Sequence, residues 1–188
     1  PYSEAVSRAT SNFKKRAIET SWSDSLVSSN GNDSEVSSVL SEGLIVETRK
    51  SNINAKESEV FNAISSIGGE NGWYYANFLW VIRGYIDLLF GGVGLRRGRR
   101  HPFKLRQGDA LDFWRVEKVI KNKIIILKAE MKLPGKAWLE YELVNTNEGV
   151  NLFQRAYFMP RGLWGLTYWY SLYPLHKIIF RGLINEIK

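Results

Sequence analysis

The sequence contains no cysteine, which excludes disulfides, thiolate nucleophiles and cysteine-ligated zinc. It contains two histidines, His101 and His176, too few for a histidine-rich metal site. No Gly-x-Ser-x-Gly sequence is present, so a hydrolase nucleophile elbow has no support. A chain without cysteine is typical of a cytoplasmic protein, and cytoplasmic is the location we expect.

Long apolar runs are also missing. The longest uncharged stretch of the aromatic C-terminal region runs from Gly162 to Leu175 and contains Pro174, whereas a membrane span needs ~20 apolar residues. The chain opens on Pro1-Tyr2-Ser3-Glu4 without an apolar leader. We interpret this start as an excised piece of a longer polypeptide, although processing would look the same.

Positive charge is concentrated in one segment. The net charge is +7, and residues 96–106 carry no acidic side chain. Such a cluster favours an anion site, for which the candidates are Arg96, Arg97, Arg99 and Arg100. No stacking aromatics are interleaved as in single-strand binders, so nucleic acid is not the favoured partner. The alternative is a loop paired internally with Asp109, Asp112 or Glu130.

The first 42 residues differ from the remainder. Residues 2–18 have the spacing of a short amphipathic helix, and residues 20–42 are rich in Ser, Asn and Gly, as in a linker. We therefore divide the chain into an extension, 1–42, and a domain, 43–188.

The domain opens with a predicted strand and two helices. Residues 43–53 predict the strand, and Asn54 with Glu57 has the form of a capping box before an apolar helix face. Residues 73–90 predict a helix that is apolar over most of its circumference. Such a helix is covered by the protein core or by a membrane surface.

Strands follow at about 109–119, 123–133, 136–145 and 149–159, then a helix at 161–187 that Pro174 should kink or break. Apolar residues alternate with polar ones along both predicted strands in 123–145. The apolar residues of the two strands can share one face of the sheet only if the connection at Pro134-Gly135 is longer than two residues or bulged. The element order predicts an α+β fold: an antiparallel sheet covered by the C-terminal helix.

Two smaller motifs have ordinary explanations. Gly91-Gly92-Val93-Gly94 follows a predicted helix and lacks the third glycine of a dinucleotide fingerprint, so a helix terminator is the better interpretation. Asp109, Asp112, Glu130 and Glu140 offer an acid–base pair, with Glu130 and Glu140 as neighbours, but ion pairs along the sheet explain them more simply. His176 is interpreted as a packed structural residue.

Several stretches resemble a known family when taken in order. They are Ile67 to Tyr75, Gly91 to Arg100, Gly108 to Val116, Ala129 to Glu140 and Tyr168-Trp169-Tyr170. Over about residues 43–187 the chain resembles an uncharacterised bacterial domain of the SRPBCC (START/Bet v-like helix-grip) superfamily. That domain is usually fused C-terminal to an NAD(P)-binding, short-chain-dehydrogenase-like domain.

The resemblance implies a helix-grip fold, with a curved sheet wrapped on the last helix and two shorter helices after the first strand. It implies that residues 1–42 include the tail of the NAD(P)-binding domain, so NAD(P) would belong to that domain and this chain would carry no cofactor. It supplies no catalytic residue. Helix-grip proteins commonly bind hydrophobic ligands between sheet and helix.

We therefore expect a binding module for an apolar or amphipathic small molecule that serves the NAD(P)-dependent domain. The candidate ligand residues are Tyr74, Trp80, Trp114, Arg115, Tyr141, Phe153, Gln154, Tyr157, Tyr168 and Trp169. Three alternatives stay open: a docking or regulatory domain without a ligand, a helix-grip enzyme of cyclase or hydrolase type, and membrane-surface attachment through helix 73–90 and the basic loop. The same aromatic residues would also suit a filled core.

Overall fold

Strands with alternating buried and exposed residues build one antiparallel sheet. The computed structural model describes residues 36–41, 43–95 and 98–187, and the predicted helix 2–18 lies outside them. The strands are β1 Val36–Ser41, β2 Leu44–Ile53, β3 Ala110–Leu111, β4 Trp114–Ile120, β5 Ile124–Ala129, β6 Gly135–Thr146 and β7 Gly149–Pro160. Their order in the sheet is β1-β2-β7-β6-β5-β4-β3. β1 lies inside the segment interpreted as linker, and the division at residue 42 stays a prediction.

The β5–β6 hairpin has the predicted register. Leu127 pairs with Leu139 and Ile125 pairs with Tyr141, and all four side chains are buried. Residues 130–134 connect the two strands, so the connection is longer than a two-residue turn. The prediction made from alternation is confirmed.

Strand 109–119 was predicted as continuous and is instead divided. β3 ends at Leu111 and β4 begins at Trp114, because Asp112 adopts a left-handed backbone with φ of 51°. Its carboxylate accepts hydrogen bonds from the Trp73 indole at 2.9 Å and the Gly69 amide at 3.2 Å. These bonds hold a conformation that non-glycine residues rarely adopt.

In the described residues three α-helices accompany the sheet: α1 Glu57–Ser65, α2 Asn77–Leu89 and α3 Gly162–Ile187. The capping prediction was wrong in register. Glu59, not Glu57, reaches back to accept the Lys56 amide at 3.1 Å, and Glu57 accepts the Asn145 side-chain amide. β2 remains paired with β7 as far as Ile53, so the helix begins only after the chain has turned.

α3 covers the concave side of the sheet. Leu183 and Ile184 have no exposed surface and Trp169 is buried. The helix continues through Pro174, so the predicted break does not occur. Proline removes one backbone donor, and the packing of Trp169 before it and Phe180 after it holds both halves against the sheet.

α2 is oriented opposite to the expectation of core burial. Its inner side carries Trp80, Gly84 and Asp87, while Tyr85 is 71% and Leu89 82% exposed. A Cβ on Gly84 would lie 2.8 Å from the Leu95 side chain, so glycine allows the following loop to pack there. The side with glycine and aspartate is thus the one that faces the protein.

The architecture is α+β and helix-grip: a curved antiparallel sheet, a long C-terminal helix on its concave face, and two shorter helices after β2. The predicted fold class is confirmed. Two clusters of buried apolar residues form the interior, a large one under α1 and α2 and a small one of Ile45, Phe158 and Trp169.

Candidate functional site: a cavity in the helix grip

A cavity of about 430 Å³ lies between the sheet, α2 and α3. Trp80 and Trp114 form its wall on the side of the large core cluster, and Phe158 and Trp169 form the wall on the other side. Two small residues, Ala137 and Ala156, also line it. Ligand pockets of ~300–1,000 Å³ with mostly apolar walls are usual for small molecules.

The cavity opens between α2 and α3. Ile82 and Ile86 line it from α2, Phe90 lines it from the residue that follows α2, and Leu175 lines it from α3. All four are exposed to solvent, Phe90 most strongly at 71%. We call these four residues the mouth.

A buried carboxylate organises the polar groups beside the mouth. Asp87 has no exposed surface and accepts the backbone amides of Gly94 at 2.9 Å and Lys132 at 2.6 Å. The Arg83 guanidinium lies 3.6 Å from the same carboxylate and donates to the Lys132 carbonyl. Asp87 therefore joins α2 to the two loops beside the cavity. Burial raises the pKa of Tyr168, and the nearby Arg83 opposes that rise.

His176 lines the cavity from α3. Its ring lies between those of Trp169 and Phe180, with centroids 5.2 and 5.6 Å away. Burial, reinforced by the charges of Arg49 and Arg83, lowers the pKa of His176 to about 4. The imidazole is therefore neutral near pH 7 and contributes hydrogen-bonding groups instead of charge.

Charged and polar side chains of β2, β6 and β7 point into the grip behind the cavity. We call Glu47, Arg49, Tyr141 and Gln154 the buried polar cluster; none is more than 1% exposed. Arg49 bonds Glu47, and the Gln154 amide donates to the Tyr141 hydroxyl at 3.1 Å. Burial raises the pKa of Glu47 and lowers that of Arg49, and their mutual attraction opposes both changes. Burial also raises the pKa of Tyr141.

The profile of a family described as "Protein of unknown function (DUF2867)" matches residues 44–183. The chain belongs to the DUF2867 family. A search of curated proteins finds no match to it.

Solved structures resemble this DUF2867 chain at low identity. A protein from Rhodobacter sphaeroides is 9% identical, with a TM-score of 0.50 over 81% of this chain and 95% of its own. CalU16 from Micromonospora echinospora is 10% identical, with a TM-score of 0.42 over 84% of this chain and 94% of its own. StfQ, a di-domain ARO/CYC from the steffimycin biosynthetic pathway, is 13% identical, with a TM-score of 0.46 over 77% and 49%. The likeness to the Rhodobacter protein shows a shared fold alone.

Half of the predicted ligand residues lie at the cavity. They are Trp80, Trp114, Tyr157, Tyr168 and Trp169. The hydroxyl of Tyr157 lies 3.4 Å from Glu140, a residue that alternation places on the outer face of the sheet. Gln154 and Tyr141 belong instead to the buried polar cluster.

Three predicted ligand residues lie away from the cavity of this DUF2867 protein. The Tyr74 hydroxyl donates to the Ala63 carbonyl. Arg115 pairs with Glu130 at 2.9 Å, and the Phe153 ring lies beneath the guanidinium of Arg155. Each has a structural partner of its own, so the structure does not bring them to the cavity.

The two described arginines of the predicted anion site bond to other parts of the protein. Arg99 donates to the backbone carbonyls of Ser65, Ile67 and His101, and Arg100 makes two bonds of 3.1 Å to Asp109. Arg96 and Arg97 lie outside the described residues. Of the four arginines predicted to hold an anion, the two that are described have their donors engaged.

The other sequence motifs have structural roles. The Gly94 amide donates to Asp87, so the glycine loop binds a carboxylate of its own chain. Glu130 pairs with Arg115, and Glu140 pairs with Arg155 at 2.6 Å; these two carboxylates thus belong to separate ion pairs. In the part of the chain that the structure describes, no helix is long and apolar enough to cross a membrane, and no group of acidic or histidine side chains is placed to hold a metal ion.

Sequence reasoning missed Glu47 and Arg49. Both alternate with Val46, Thr48 and Lys50 along β2, and charged residues at every second position resemble a solvent face. Ile45 and Ile53 share a face of the strand with Glu47 and Arg49, but Val46 lies on the other face, so β2 by itself gives no decisive signal.

Proposed function

We propose that this chain binds an apolar or amphipathic small molecule in the cavity between the sheet and α3. The observation that carries the proposal is the cavity itself, of about 430 Å³. Its walls are aromatic and aliphatic, and it reaches solvent at the mouth. An apolar ligand would gain ~25 cal/mol for each Å² of apolar surface removed from water there. Arg83 and Tyr168 would orient a polar end near the entrance.

Native mass spectrometry of the protein purified from its own host tests whether a small molecule travels with the chain. A second test uses a neutral naphthylamine dye whose fluorescence rises in apolar surroundings. Leu172→Trp adds bulk at the cavity, and we expect it to weaken dye binding at least tenfold. The matched control is Ile178→Trp on the same helix, because Ile178 is 56% exposed and does not line the cavity.

Equal dye affinity in both variants and the wild type would contradict the proposal. So would a wild-type protein that neither carries a molecule nor binds the dye.

A second function is favoured by the outward apolar side of α2: contact with an anionic membrane surface. Phe78, Tyr85, Leu88, Leu89 and Phe90 are each more than half exposed. Exposed aromatic and aliphatic side chains next to cations are typical of helices that lie in the lipid interface. The described charged side chains at the cavity are Arg83, Lys132 and the fully buried Asp87, so the exposed charge there is positive and suits anionic lipid.

Vesicle co-sedimentation with and without phosphatidylserine tests this contact. We expect binding that requires the anionic lipid and is lost in Leu89→Ser/Phe90→Ser. The control, Val144→Ser/Met159→Ser, removes two apolar residues of the sheet that are 42% and 41% exposed and should bind as the wild type. Binding indifferent to phosphatidylserine, or no binding at all, would contradict the membrane contact and leave a protein partner as the explanation for this surface.

The family resemblance supports one further element, a partner. The ligand would be held for an NAD(P)-dependent domain of the same polypeptide, with residues 1–42 as the contact arm. Association of that separately produced domain with this chain, lost when residues 1–42 are removed, is the expected result. Failure to associate would contradict the partnership without affecting ligand binding.

A further inference from the structure

The buried polar cluster contains atoms that the described part of the chain leaves unpaired. These are the second carboxylate oxygen of Glu47, the side-chain oxygen of Gln154, and two guanidinium nitrogens of Arg49, Nε and Nη1. A buried polar group without a partner is destabilising, because it has lost its hydrogen bonds to water and gained none in return. Two acceptors and two donors left unpaired on neighbouring strands indicate that the cluster receives a partner from outside the described residues.

The strand register brings these atoms together. Arg49 is opposite Gln154 across β2 and β7, and Glu47 is opposite Ala156. Directly opposed residues of an antiparallel pair project to the same face. The unpaired atoms therefore share one side of the sheet, the side that α3 covers.

The cluster adjoins the cavity at two points. Ala156, opposite Glu47, lines the cavity, and its methyl group leaves more space beside the carboxylate than a larger side chain would. The Arg49 guanidinium lies 5.4 Å from the ring centre of Phe180, which also lines the cavity. Ala156 and Phe180 therefore lie both at the cavity and next to residues of the cluster.

The chemistry of the unpaired atoms selects the group that fits. A carboxylate only accepts hydrogen bonds, so it would leave the oxygens of Glu47 and Gln154 unpaired and add negative charge beside Glu47 in a desolvated place. A hydrocarbon would pair none of the four atoms. A hydroxyl group both donates and accepts, and it adds no charge to the Glu47–Arg49 pair.

We propose that the ligand is an apolar molecule bearing a neutral hydroxyl group, an alcohol or a phenol, whose hydroxyl passes Ala156 and bonds the buried polar cluster. The hydroxyl oxygen accepts from Arg49, and its hydrogen is donated to Glu47 or Gln154. This inference rests on the proposed function, because it needs the cavity to hold the apolar body of the molecule.

The test is competition against the neutral naphthylamine dye. Naphthol and methylnaphthalene have nearly the same size, and only naphthol carries a hydroxyl; naphthoate supplies the anion. One added hydrogen bond to a charged group is worth about 1.5–3 kcal/mol. We therefore expect naphthol to compete at least tenfold better than methylnaphthalene, and better than naphthoate.

Two variants locate the effect. Ala156→Leu narrows the passage without changing a polar residue, and it should reduce the preference for naphthol to about twofold or less. Ala137→Leu adds the same bulk at the other alanine of the cavity, opposite Phe158 on the register, and should keep the preference. Glu47→Leu/Arg49→Met replaces the ion pair with apolar residues, which proteins generally tolerate, and should also abolish the preference.

The outcomes separate this inference from the proposed function. If the dye binds but naphthol and methylnaphthalene compete equally with the wild type, the cluster holds ordered water only; the inference is then wrong while the binding function stands. A better competition by naphthoate than by naphthol would overturn the hydroxyl assignment. If the dye does not bind the wild type, the proposed function and this inference fail together.

Discussion

Acidification should destabilise this protein through His176. The group has an ordinary pKa of 6.5, and the folded chain lowers that pKa to about 4. Between these values the unfolded chain binds a proton that the folded chain does not. The free energy of unfolding therefore rises with pH in this window. The stabilisation is complete above pH 6.5 and is lost as the pH falls towards 4.

The size of the effect follows from the two pKa values. A change of one pKa unit corresponds to about 1.36 kcal/mol, so a fall from 6.5 to about 4 corresponds to about 3 kcal/mol over the whole window. At about pH 5 the unfolded imidazole is nearly fully protonated and the folded one is mostly neutral. We therefore expect about 2 kcal/mol of the loss to occur between about pH 7 and about pH 5.

Urea unfolding followed by tryptophan fluorescence at these two pH values measures the loss. His176→Phe keeps an aromatic ring between Trp169 and Phe180 and removes the titrating group. It should lose about 2 kcal/mol less than the wild type on acidification. If His176→Phe and the wild type lose the same stability between the two pH values, the reasoning from burial is refuted.

Three further predictions concern the interior. Arg49→Met leaves Glu47 buried and unpaired, so it should lower the unfolding free energy by about 3–5 kcal/mol. Adding Glu47→Leu should restore most of that free energy. A double variant as unstable as the single variant would contradict the cost assigned to the unpaired Glu47 charge. Gly182→Ala places a Cβ 2.1 Å from the Tyr75 ring and should cost about 1–3 kcal/mol, so an unchanged urea midpoint would show that the ring moves freely. Asp87→Asn presents an amide that cannot accept at both ends, and it should cost about 1–3 kcal/mol; unaltered stability would mean that the loop bonds are dispensable.

Alternation along the strands predicted what local periodicity can decide. Ile125 and Leu127 face the same side as Leu139 and Tyr141 because the side-chain period of a strand is two. That constraint fixes the register and forces a connection longer than two residues at Pro134. No information from distant residues is needed, so the hairpin followed from the sequence alone.

The orientation of α2 depends on distant residues and was therefore not predictable. The most apolar side of α2 carries Phe78, Ile82 and Leu89. From the sequence of the helix alone, that side would be expected to pack against the protein core. The structure instead directs Asp87 inward, because Gly94 and the amide of Lys132 donate to it. Lys132 lies on the loop between β5 and β6, 45 residues along the chain from Asp87.

The buried polar cluster escaped prediction for a related reason. Along β2 one set contains Ile45, Glu47 and Arg49 and the other contains Val46 and Lys50. Each set mixes apolar and charged residues, so the pattern within the strand does not decide which face is buried. The neighbouring strand decides which face of β2 is buried. Gln154 and Ala156 on β7 lie under α3, so the residues of β2 that pair with them, Arg49 and Glu47, must face the same side.

The aromatic residues both fill the interior and leave a space in it. Trp73, Trp80 and Phe113 stack closely, with the first two ring centroids 4.0 Å apart, and Phe158 stacks on Trp169 at 5.1 Å. The cavity lies where these two groups of rings do not meet, with Ala137 and Ala156 among the lining residues. An empty space of this kind forfeits contacts between its walls. A ligand that restores them binds the folded chain and not the unfolded one, so it should raise the unfolding free energy by about 2.7 kcal/mol at a hundred times its Kd. Ligand binding in the cavity can therefore be measured as an increase in the unfolding free energy of the chain.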